Sequence, residues 1–359
     1  MSGISARKAH HIELCATADV GFRARTTLLE QVRFVHNALP DVSIDEIDLG
    51  CNFLGKRLRA PILIAAMTGG TDEAGAINRE LAQIAEERGY AFGLGSQRAM
   101  HVTPEARGTY WVRDVAPTVP ILGNVGLVQA GKMATRDLAA LVSQVGADGI
   151  CIHLNPAQEL VQNGGDRDFR GGTEIIARVV RELDVPVIVK ETGCGISGAV
   201  GARLRKVGVR HVDVSGAGGT SWVAVETLRA TDEPTRNLGE AFWDWGIPTG
   251  ASVAQLAPLG FDTLIATGGI ATGLDIARAV ALGATCAGIA RPVLRAFREG
   301  GRARAIAFFE QLEAELRGVL LLTGSRDLEG LRRARRMISG ELGEWVESAK
   351  HMHGSSGER

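Results

Sequence analysis

The chain lacks the cysteine spacing of a zinc or redox module, since its five cysteines are scattered and no C-x-x-C pair occurs. Unpaired thiols fit a reducing compartment better than a disulfide framework. No apolar run approaches the roughly 18 residues that read as a membrane span, and MSGISARKAHHIEL at the start holds no apolar signal segment. We therefore expect no membrane partner and a cytoplasmic location.

An excess of charge of one sign is also missing, because 40 basic residues stand against 41 acidic ones. Such a balance gives no reason to expect nucleic acid as a partner, so any anion must be recognised by a local cluster. Glycine, by contrast, is abundant at 46 residues, nearly twice the usual share of about 7%. The glycines follow apolar runs, which is typical of tight turns and of backbone that approaches a ligand closely.

Eight short apolar runs alternate with amphipathic stretches from residue 60 onward. They are APILIAAMT (60–68), AFGLGS (91–96), VPILGNVG (119–126), GICIHLN (149–155), VPVIVKET (185–192), HVDVSG (211–216), DTLIATGG (262–269) and CAGIARP (286–292). Such continuous runs are typical of strands buried on both faces. Eight strands alternating with helices predict an α/β fold, a (β/α)8 TIM barrel; a doubly wound open sheet is the alternative.

The remaining segments predict additions to a single domain that spans residues 1–359. Residues 1–59 are expected to form an N-terminal arm and a short hairpin, residues 60–300 the barrel, and residues 301–359 C-terminal helices and a tail. Two helices are expected over 301–349, the second one strongly basic. The long connection from Gly216 to Phe261 predicts a lid or an extra helix.

Small or polar residues follow nearly every predicted strand. The positions are Met67–Gly70, Ser96–Arg98, Asn124, His153–Asn155, Lys190–Glu191, Ser215, Thr220, Gly268–Gly269 and Ala290–Arg291. In a barrel the carboxyl ends of the strands meet at one mouth, where active sites lie. A packed core does not need small or polar residues at the strand ends, so the sequence predicts a mouth that binds a large polar ligand.

The strongest single pattern is ATGGIATGLDIARAVALGATCAGIARP near the end of the predicted barrel. Glycines at a strand end expose backbone N–H groups, and the helix that follows directs the positive end of its dipole at them. Two consecutive strand ends of this kind, Gly268–Gly269 and Ala290–Arg291, predict the phosphate cup of a barrel. A tight turn without a ligand is the alternative for Gly268–Gly269.

Lys190 ends an otherwise apolar strand. A buried ammonium is costly unless it meets an anion or a polarised ring, so we expect Lys190 to lie against an anion or against the polarised ring of a bound cofactor. An internal ion pair with Asp213 or Glu191 is the alternative. Ser96, Asn124, Ser215 and Thr220 are expected to donate hydrogen bonds to the same cofactor, although serine and asparagine at such positions also cap helices.

Nine short segments occur in order from Arg7 to Arg291: RKAHHIE, AAMTGG, GLGSQR, GNVG, HLNPAQE, VPVIVKETGCGIS, VSGAGGTSW, WGIPT and GGIATGLDIARA. Together they resemble the type 2, FMN-dependent isopentenyl diphosphate delta-isomerases. The GGxxTG and ARP patterns are shared by many FMN barrels, whereas RKxxH, SQR and HLNPAQE are far more specific. The resemblance implies an isomerase with FMN, Mg²⁺ and NADPH as flavin reductant, a prenyl diphosphate as substrate, and a homo-tetramer or homo-octamer.

The resemblance also implies roles for individual residues. The substrate would be bound by Arg7, Lys8, His11, Ser96, Gln97, Arg98, Asn155 and Gln158. The cofactor would be bound by Ala66, Met67, Thr68, Ser96, Asn124, Lys190, Ser215, Thr220, Gly268, Gly269, Ile270, Ala290 and Arg291. Several cations suit a diphosphate of about three negative charges, and arginine adds bidentate contacts.

Glu159 would be the Mg²⁺ ligand, since magnesium favours one or two carboxylates together with phosphate oxygens. A carboxylate that only satisfies the dipole of a helix is the alternative for Glu159. Gln158, His153 and Lys190 would be catalytic. Because no carboxylate or cysteine is placed by motif to move both protons, the hypothesis is that reduced FMN exchanges the proton at N5. Lys190 would then stabilise the flavin anion, while Gln158 and His153 would help to position the substrate or relay the proton.

Two departures and three competing functions complete the prediction. Ala271 stands where FMN barrels often have arginine, and GGTE at 171–174 lacks the aromatic associated with that helix start. An FMN-dependent oxidoreductase of the 2-hydroxy acid oxidase type would need a histidine base and an arginine after the seventh strand, and ATGGIATG supplies neither. A barrel resembling IMP dehydrogenase would need a nucleophilic cysteine, for which Cys194 is the candidate. A flavin-binding protein without catalysis is the third.

Overall fold

Eight parallel strands close into a barrel in the computed structural model, which describes residues 3–354 and the side chains of residues 7–349. The strands are β1 (Val32–Phe34), β2 (Cys51–Phe53), β3 (Lys56–Leu58), β4 (Ile62–Ile64), β5 (Ala91–Gly93), β6 (Ile121–Gly126), β7 (Gly149–His153), β8 (Val187–Lys190), β9 (His211–Asp213), β10 (Thr263–Ala266), β11 (Cys286–Ile289) and β12 (Arg336–Ile338). The barrel consists of β4 to β11.

The helices are α1 (Gly3–Thr17), α2 (Asp72–Arg88), α3 (Arg98–Val102), α4 (Leu127–Lys132), α5 (Thr135–Gln144), α6 (Pro156–Val161), α7 (Gly172–Glu182), α8 (Gly198–Lys206), α9 (Trp222–Arg229), α10 (Glu233–Phe242), α11 (Thr249–Leu256), α12 (Gly273–Ala281), α13 (Arg291–Thr323), α14 (Leu328–Arg333) and α15 (Gly340–Gly354). Within residues 3–354 no helix combines the length and the apolar character needed to cross a bilayer.

The strand order around the barrel follows the chain, and the last strand returns to the first. In β11, Ala287 pairs with Ile62 of β4, and Gly288 pairs with Leu63. All eight predicted strands are present and almost all of their side chains are buried. The predicted TIM barrel is therefore confirmed, and the open sheet is wrong because an open sheet leaves two edges unpaired.

Local capping explains where the barrel helices begin and end. Helix α2 starts after Thr71, whose hydroxyl accepts a hydrogen bond from the amide of Ala74, and ends at Gly89 with φ of 68°. Helix α12 starts with a capping box in which Thr272 and Asp275 satisfy each other's backbone amides. This cap fixes the amino end of α12 next to the glycines that follow β10.

The long connection after β9 contains α9, α10 and α11, where a lid or one extra helix was expected. Helix α9 packs against α6 and α10, and α1 packs against both α9 and α13. The amino-terminal segment thus begins as a helix that crosses the mouth of the barrel. Residues 51–58 form the two-stranded hairpin β2–β3.

The carboxyl-terminal part differs from the two helices expected over 301–349. Helix α13 is broken at Gly300–Gly301, and the basic segment that follows forms α14 and then β12, which pairs with β1. The pattern of basic residues gave no sign of this strand, because β12 is only three residues long and is held by its distant partner β1. The last five residues of the expected tail, 355–359, lie outside the described residues.

Candidate active site

A cavity of about 680 Å³ lies at the carboxyl ends of the barrel strands, beneath α1. Its size is in the range of small-molecule and cofactor sites. All but one of the predicted site residues line it: Arg7, Lys8, His11, Ala66, Met67, Thr68, Ser96, Arg98, Asn124, His153, Asn155, Gln158, Glu159, Lys190, Ser215, Thr220, Gly268, Gly269, Ile270, Ala290 and Arg291. The structure thus brings together residues that are up to 284 positions apart in the chain, from Arg7 to Arg291.

Gln97 is the exception, because its side chain points away from the cavity and is fully buried. Its amide nitrogen donates to the carbonyl of Leu141 at 2.8 Å, and its oxygen accepts from the backbone amide of Asn124 at 2.9 Å. Both hydrogen-bonding groups are used within the barrel wall. The expected substrate contact of Gln97 is therefore corrected to a support of β6.

The glycines after β10 form one end of the cavity. Gly268 and Gly269 have φ of 99° and 78°, and a Cβ on Gly268 would lie 2.1 Å from the carbonyl oxygen of Gly216. Only glycine fits there, since the left-handed region and the close approach both exclude a side chain. Gly268 and Gly269 line the cavity together with Ala290 and Arg291 at the amino end of α13, so their backbone suits a phosphate.

Arg291 contributes to this end in a way that the sequence did not predict. Its Nε donates to the carbonyl of Cys15 at 3.3 Å and its Nη2 to the carbonyl of Ala18 at 3.0 Å, at the carboxyl end of α1. Cations in this position also complement the negative end of a helix dipole. The guanidinium therefore ties α1 to the barrel, while the backbone of Arg291 begins α13 beside the glycine turn.

Lys190 lies in the middle of the cavity and has no carboxylate partner within the described residues. Its Nζ donates to the backbone carbonyl of Glu191 at 2.5 Å and to Oγ of Ser215 at 3.2 Å. Ser215 adopts φ of 37°, a strained value for a residue other than glycine. The alternative of an ion pair with Asp213 or Glu191 is not what the structure has, and the ammonium remains directed at the cavity.

The two carboxylates near Lys190 are buried and bound to other groups. Oε2 of Glu191 accepts from the backbone amides of Thr192 and Cys194, while Oδ1 of Asp213 accepts from Thr267 and from the amide of Ser215. Burial raises the pKa of Glu191 to about 7 and also raises the pKa of Asp213. These groups shape the loops around Lys190 from beneath the cavity.

His153 is held as a neutral ring with one defined tautomer. Asn124 donates its amide nitrogen to the carbonyl of Leu94 at 3.1 Å, which leaves its Oδ1 to accept from Nδ1 of His153 at 2.8 Å. Burial, together with the nearby charges of Lys190 and Lys8, lowers the pKa of His153 to about 3. Nε2 of His153 is thus an acceptor at the cavity. Asn124, expected to contact the cofactor through its amide, uses both amide atoms inside the protein.

Three cations gather at the end of the cavity opposite the glycine turn: Arg7, Lys8 and Arg98. Burial lowers the pKa of Arg7, the charge of Arg98 adds to this effect, and Nε of Arg7 is buried with no hydrogen-bond partner. Arg98 has no ion pair or hydrogen bond with any other described side chain or backbone group. Arg7 and Arg98 thus leave hydrogen-bond donors free in the cavity, which indicates an anion site.

Lys8 is anchored more firmly than the two arginines. Its Nζ donates to the carbonyl of Ser96 at 2.8 Å and contacts the hydroxyl of Tyr110, which itself donates to the same carbonyl at 2.7 Å. Burial and the charge of Arg7 lower the pKa of Lys8 to about 7. Its protonation state therefore changes near neutral pH.

Glu226 of α9 joins the arm to the predicted catalytic residues and was not singled out from the sequence. Its Oε1 accepts from Nε2 of His11 at 2.9 Å and from Gln158 at 3.3 Å, and its other oxygen pairs with Arg229. Burial acts to raise the pKa of Glu226, but His11, Arg229 and Gln158 outweigh it and leave that pKa lowered. An anionic carboxylate at this point fixes the orientation of Gln158.

Glu159 lies in the first turn of α6, with its carboxylate shared among three donors. Asn155 donates to Oε1 at 3.0 Å, while Gln162 and the backbone amide of Asp166 donate to Oε2 at 3.0 and 2.8 Å. Within the part of the chain that the structure describes, no three carboxylate, histidine or cysteine side chains cluster as a metal site. A metal at Glu159 would need most of its ligands from a bound phosphate and from water.

The cavity lacks the residues that two of the competing functions would need. Cys194 does not line the cavity, and burial raises the pKa of its thiol, so it is no poised thiolate. The turn after β10 carries glycine, isoleucine and alanine at 268–271, with no histidine that could serve as the base of a hydroxy acid oxidase.

The cavity fits a flavin mononucleotide on two counts. The glycine cradle at one end suits a phosphate, and Lys190 with Ser215 suits a polar ring edge. In addition, three cavity residues carry buried polar atoms without a partner in the described chain: Nε of Arg7, Oγ1 of Thr192 and Nε of Arg295. Natively buried polar atoms without partners indicate groups that a ligand satisfies.

Known proteins are similar in both sequence and fold. The family model of FMN-dependent dehydrogenases matches residues 2–119 and 153–338. The isopentenyl-diphosphate delta-isomerase of Methanothermobacter thermautotrophicus is 45% identical over 344 residues, covering 96% of each chain. The one from Synechococcus sp. is 47% identical over 334 residues, covering 92% of this chain and 96% of its own.

Solved structures with the same fold are more distant in sequence. A mandelate oxidase with an FMN adduct superposes with a TM-score of 0.64 at 16% identity, over 91% of this chain and 95% of its own. A flavocytochrome b2 superposes with a TM-score of 0.64 at 15% identity, over 93% and 86%. The fold is thus that of FMN barrels. The higher sequence identity, 45% and 47%, is with the two isopentenyl-diphosphate delta-isomerases. The chain belongs to the family of isopentenyl-diphosphate delta-isomerases, isomerases built on the barrel of the FMN-dependent dehydrogenases.

Proposed function

We propose that this protein interconverts isopentenyl and dimethylallyl diphosphate with reduced FMN and Mg²⁺, without net oxidation of the substrate. The observation that carries the proposal is one cavity with two anion-binding ends. Glycine backbone forms one end, and Arg7, Lys8 and Arg98 form the other. A flavin phosphate suits the first end and a substrate diphosphate the second, because several cations are needed for a diphosphate. The family of the chain supports the same assignment.

When bound, reduced FMN would supply acid–base chemistry at its N5. Lys190, held by Ser215 and the carbonyl of Glu191, would place positive charge at the edge of the flavin ring. His153 would accept a hydrogen bond at Nε2, since its Nδ1 is committed to Asn124. Gln158 would be positioned near the substrate through its hydrogen bond to Glu226.

The cations would fix the substrate by its diphosphate and leave the hydrocarbon part deeper in the cavity. Arg7 and Arg98 each have free donors for bidentate contacts, and Lys8 adds a third charge when protonated. His11 is held between Glu226 and the edge of Trp222, whose ring centroid is 5.2 Å away. Closure by α1 would exclude water from the reacting carbons, which strengthens each of these contacts.

An anaerobic assay tests the proposed activity. Purified protein with FMN, reduced by dithionite in the presence of Mg²⁺, is expected to convert isopentenyl diphosphate into its allylic isomer with no change in flavin redox state. NADPH in place of dithionite is expected to start the same reaction. Net oxidation of a 2-hydroxy acid without isomerisation would contradict the proposal and favour the oxidoreductase.

Glu159 is proposed as the magnesium ligand, and Glu159→Gln tests it. The variant is expected to need a higher Mg²⁺ concentration for half-maximal activity while its flavin absorbance stays unchanged. Glu174→Gln is the matched control, since Glu174 also lies in the first turn of a helix but outside the cavity. Wild-type metal dependence in Glu159→Gln would remove it from the site and leave only the interaction with the helix dipole.

The family resemblance also supports a homo-tetramer or homo-octamer in the cytoplasm. Native mass measurement of the purified protein tests the assembly, and a monomer at micromolar concentration would contradict it.

A further inference from the structure

Arg229, the last residue of α9, lies beside the site without lining the cavity. Its Nη1 pairs with Oε2 of Glu226, one helical turn earlier, and the two side chains are 20% and 1% exposed. Because Arg229 lies outside the cavity, any effect that it has on the reaction must pass through Glu226.

Net stability gives little reason for this ion pair. Taking a guanidinium and a carboxylate out of water costs free energy, and their attraction often does no more than offset that cost. The cost is higher here because Nε of Arg229 is buried without a hydrogen-bond partner among the described residues. What the pair does provide is a fixed negative charge on Glu226.

The two oxygens of Glu226 serve different neighbours. Oε2 is taken by Arg229, whereas Oε1 accepts from Nε2 of His11 at 2.9 Å and from Nε2 of Gln158 at 3.3 Å. The amide oxygen of Gln158 accepts in turn from Asn155 at 3.3 Å. With Glu226 ionised, each donor in this network faces an acceptor, and the amide of Gln158 has one orientation.

Protonation of Glu226 would remove this order. A protonated carboxyl can donate as well as accept, so the amide of Gln158 could turn its oxygen toward Glu226 and its nitrogen toward Asn155. Asn155 already donates to Gln158 and to Glu159, and it would then face a second donor. The charge of Glu226 therefore decides how the amide of Gln158 is oriented at the cavity wall.

Arg229 is the cation that pairs with Glu226 at neutral pH. Burial lowers the pKa of His11, so its ring is neutral there and donates from Nε2. Burial alone would raise the pKa of Glu226, but its contacts with His11, Arg229 and Gln158 lower it instead. Without Arg229 the carboxylate would keep two neutral donors and lose the charge of its ion-pair partner.

Three further helices pack against α9, and none brings a second ion pair to Glu226 among the described residues. Helix α1 adds the positive charge of Arg7, which acts on Glu226 together with His11. Helix α6 faces it with the neutral amide of Gln158, while the carboxylate of Glu159 is held by its own three donors. Helix α10 approaches α9 through the buried Gly239.

We propose that Arg229 is a positioning residue for the isomerisation: it keeps Glu226 ionised and so fixes the amide of Gln158 at the cavity wall. The inference rests on the proposed function, in which Gln158 lies near the substrate. Arg229 itself touches neither substrate nor flavin.

The pH dependence of kcat, measured with the reduced holoenzyme, tests the inference. Saturating isopentenyl diphosphate keeps the titration of Lys8 out of the measurement. In Arg229→Met the pKa of Glu226 rises, so its ionised form is lost as the pH falls through a higher value than in the wild type. The acid limb of kcat should therefore begin at a higher pH and fall about tenfold per pH unit below it. Arg229→Lys keeps the charge and should restore most of the wild-type profile.

The matched control is Arg236→Met on α10. Arg236 is exposed and donates to the carbonyl of Ala230, the residue after Arg229, so its loss should leave the profile unchanged. Infrared spectroscopy measures the charge of Glu226 without turnover. The C=O stretch of its protonated carboxyl, assigned by its absence in Glu226→Gln, should appear at a higher pH in Arg229→Met than in the wild type.

A kcat lowered equally at every pH in Arg229→Met, with the acid limb in its wild-type position, would give Arg229 a structural role and overturn the inference. So would a further loss when Arg229→Met is added to Glu226→Gln, because a residue that acts through Glu226 then has nothing left to act on. If Arg229→Met does not fold, Arg229→Gln takes its place in both measurements. A wild-type protein that does not isomerise would refute the proposed function, and the role of Arg229 with it, whatever the infrared result.

Discussion

The two ends of the cavity are built from different parts of the peptide. The end proposed to bind the flavin phosphate, called the phosphate end, consists of backbone from two consecutive βα units, with Gly268 and Gly269 closed in by neighbouring carbonyls. The end proposed to bind the substrate diphosphate, called the diphosphate end, consists of long side chains from α1, α3, α6 and α9. The first end therefore has no room for an added atom. The second has room but depends on the charge of each group.

The largest expected effect is at the phosphate end. Gly268→Ala is expected to lower the free energy of unfolding by about 4 kcal/mol and to abolish FMN retention, because its Cβ would overlap the carbonyl of Gly216 in a left-handed backbone. Flavin content after gel filtration and a denaturant titration measure the two quantities. Gly260→Ala is the control, since Gly260 has φ of 68° but open space around it. Wild-type flavin content in Gly268→Ala would erase the contrast between the two ends.

At the diphosphate end, Arg98→Ala is expected to lower kcat/KM about 100-fold, or roughly 2.7 kcal/mol, while FMN affinity stays unchanged. The side chain lines the cavity and has no partner in the described chain, so its loss removes only a ligand contact. Steady-state kinetics at saturating FMN measure it. The control is Arg79→Ala, which breaks an exposed pair with Asp114 far from the cavity. A loss of FMN affinity in Arg98→Ala would show that the ends are not separate.

The charge of Lys8 predicts a pH dependence at the same end. Because burial and Arg7 lower its pKa to about 7, the ammonium loses its proton as the pH rises above 7. Only the protonated form attracts an anion, so KM is expected to rise with pH, by about fivefold from pH 7 to pH 8. A profile of KM against pH checks this. Lys8→Met should have a uniformly raised KM and a flat profile over that range; a wild-type KM that is constant from pH 6 to 8 would refute the assignment.

The smallest expected effect concerns the anchor of Lys8. Tyr110→Phe removes the hydroxyl that contacts both the Nζ of Lys8 and the carbonyl of Ser96. A net loss of about 1 kcal/mol is typical of one such hydrogen bond, so KM should rise about threefold to fivefold. Riboflavin and FMN affinities should not change. An effect on flavin binding larger than that on KM would mean that Tyr110 supports the cofactor rather than the substrate.

The phosphate end could be predicted from the sequence because its information is local. A strand that ends in Gly268–Gly269, followed by a helix with a threonine cap, folds in the same way in many contexts. The eight buried strands were predicted for a similar reason, since continuous apolar runs exclude most other structures. The contact of the Arg291 side chain with α1 could not be predicted, because the motif fixes the backbone of Arg291 but not the segment that packs against its side chain.

The diphosphate end could be predicted only in part. The motif predicts Ser96, Gln97 and Arg98 together, yet only the first and third line the cavity. Gln97 lies in the turn that begins α3, with φ of −81° and ψ of 9°, and its side chain is held in the barrel wall by Leu141 and the amide of Asn124, two contacts that the local sequence does not show. Glu226 could not be predicted because α9 lies in the long connection after β9, which has no strand pattern that would place its residues at the mouth of the barrel. The approach of Glu226 to His11 depends on the packing of α9 against α1. No local signal carries that information.

The bond between Arg291 and the carboxyl end of α1 has a thermodynamic consequence. The helix that carries Arg7, Lys8 and His11 is fastened by a residue whose own backbone begins the cofactor cradle. By linkage, the docked helix and bound FMN stabilise each other by the same free energy. Protease protection of residues 3–17 thus becomes a measure of cofactor affinity, readable without substrate and without turnover.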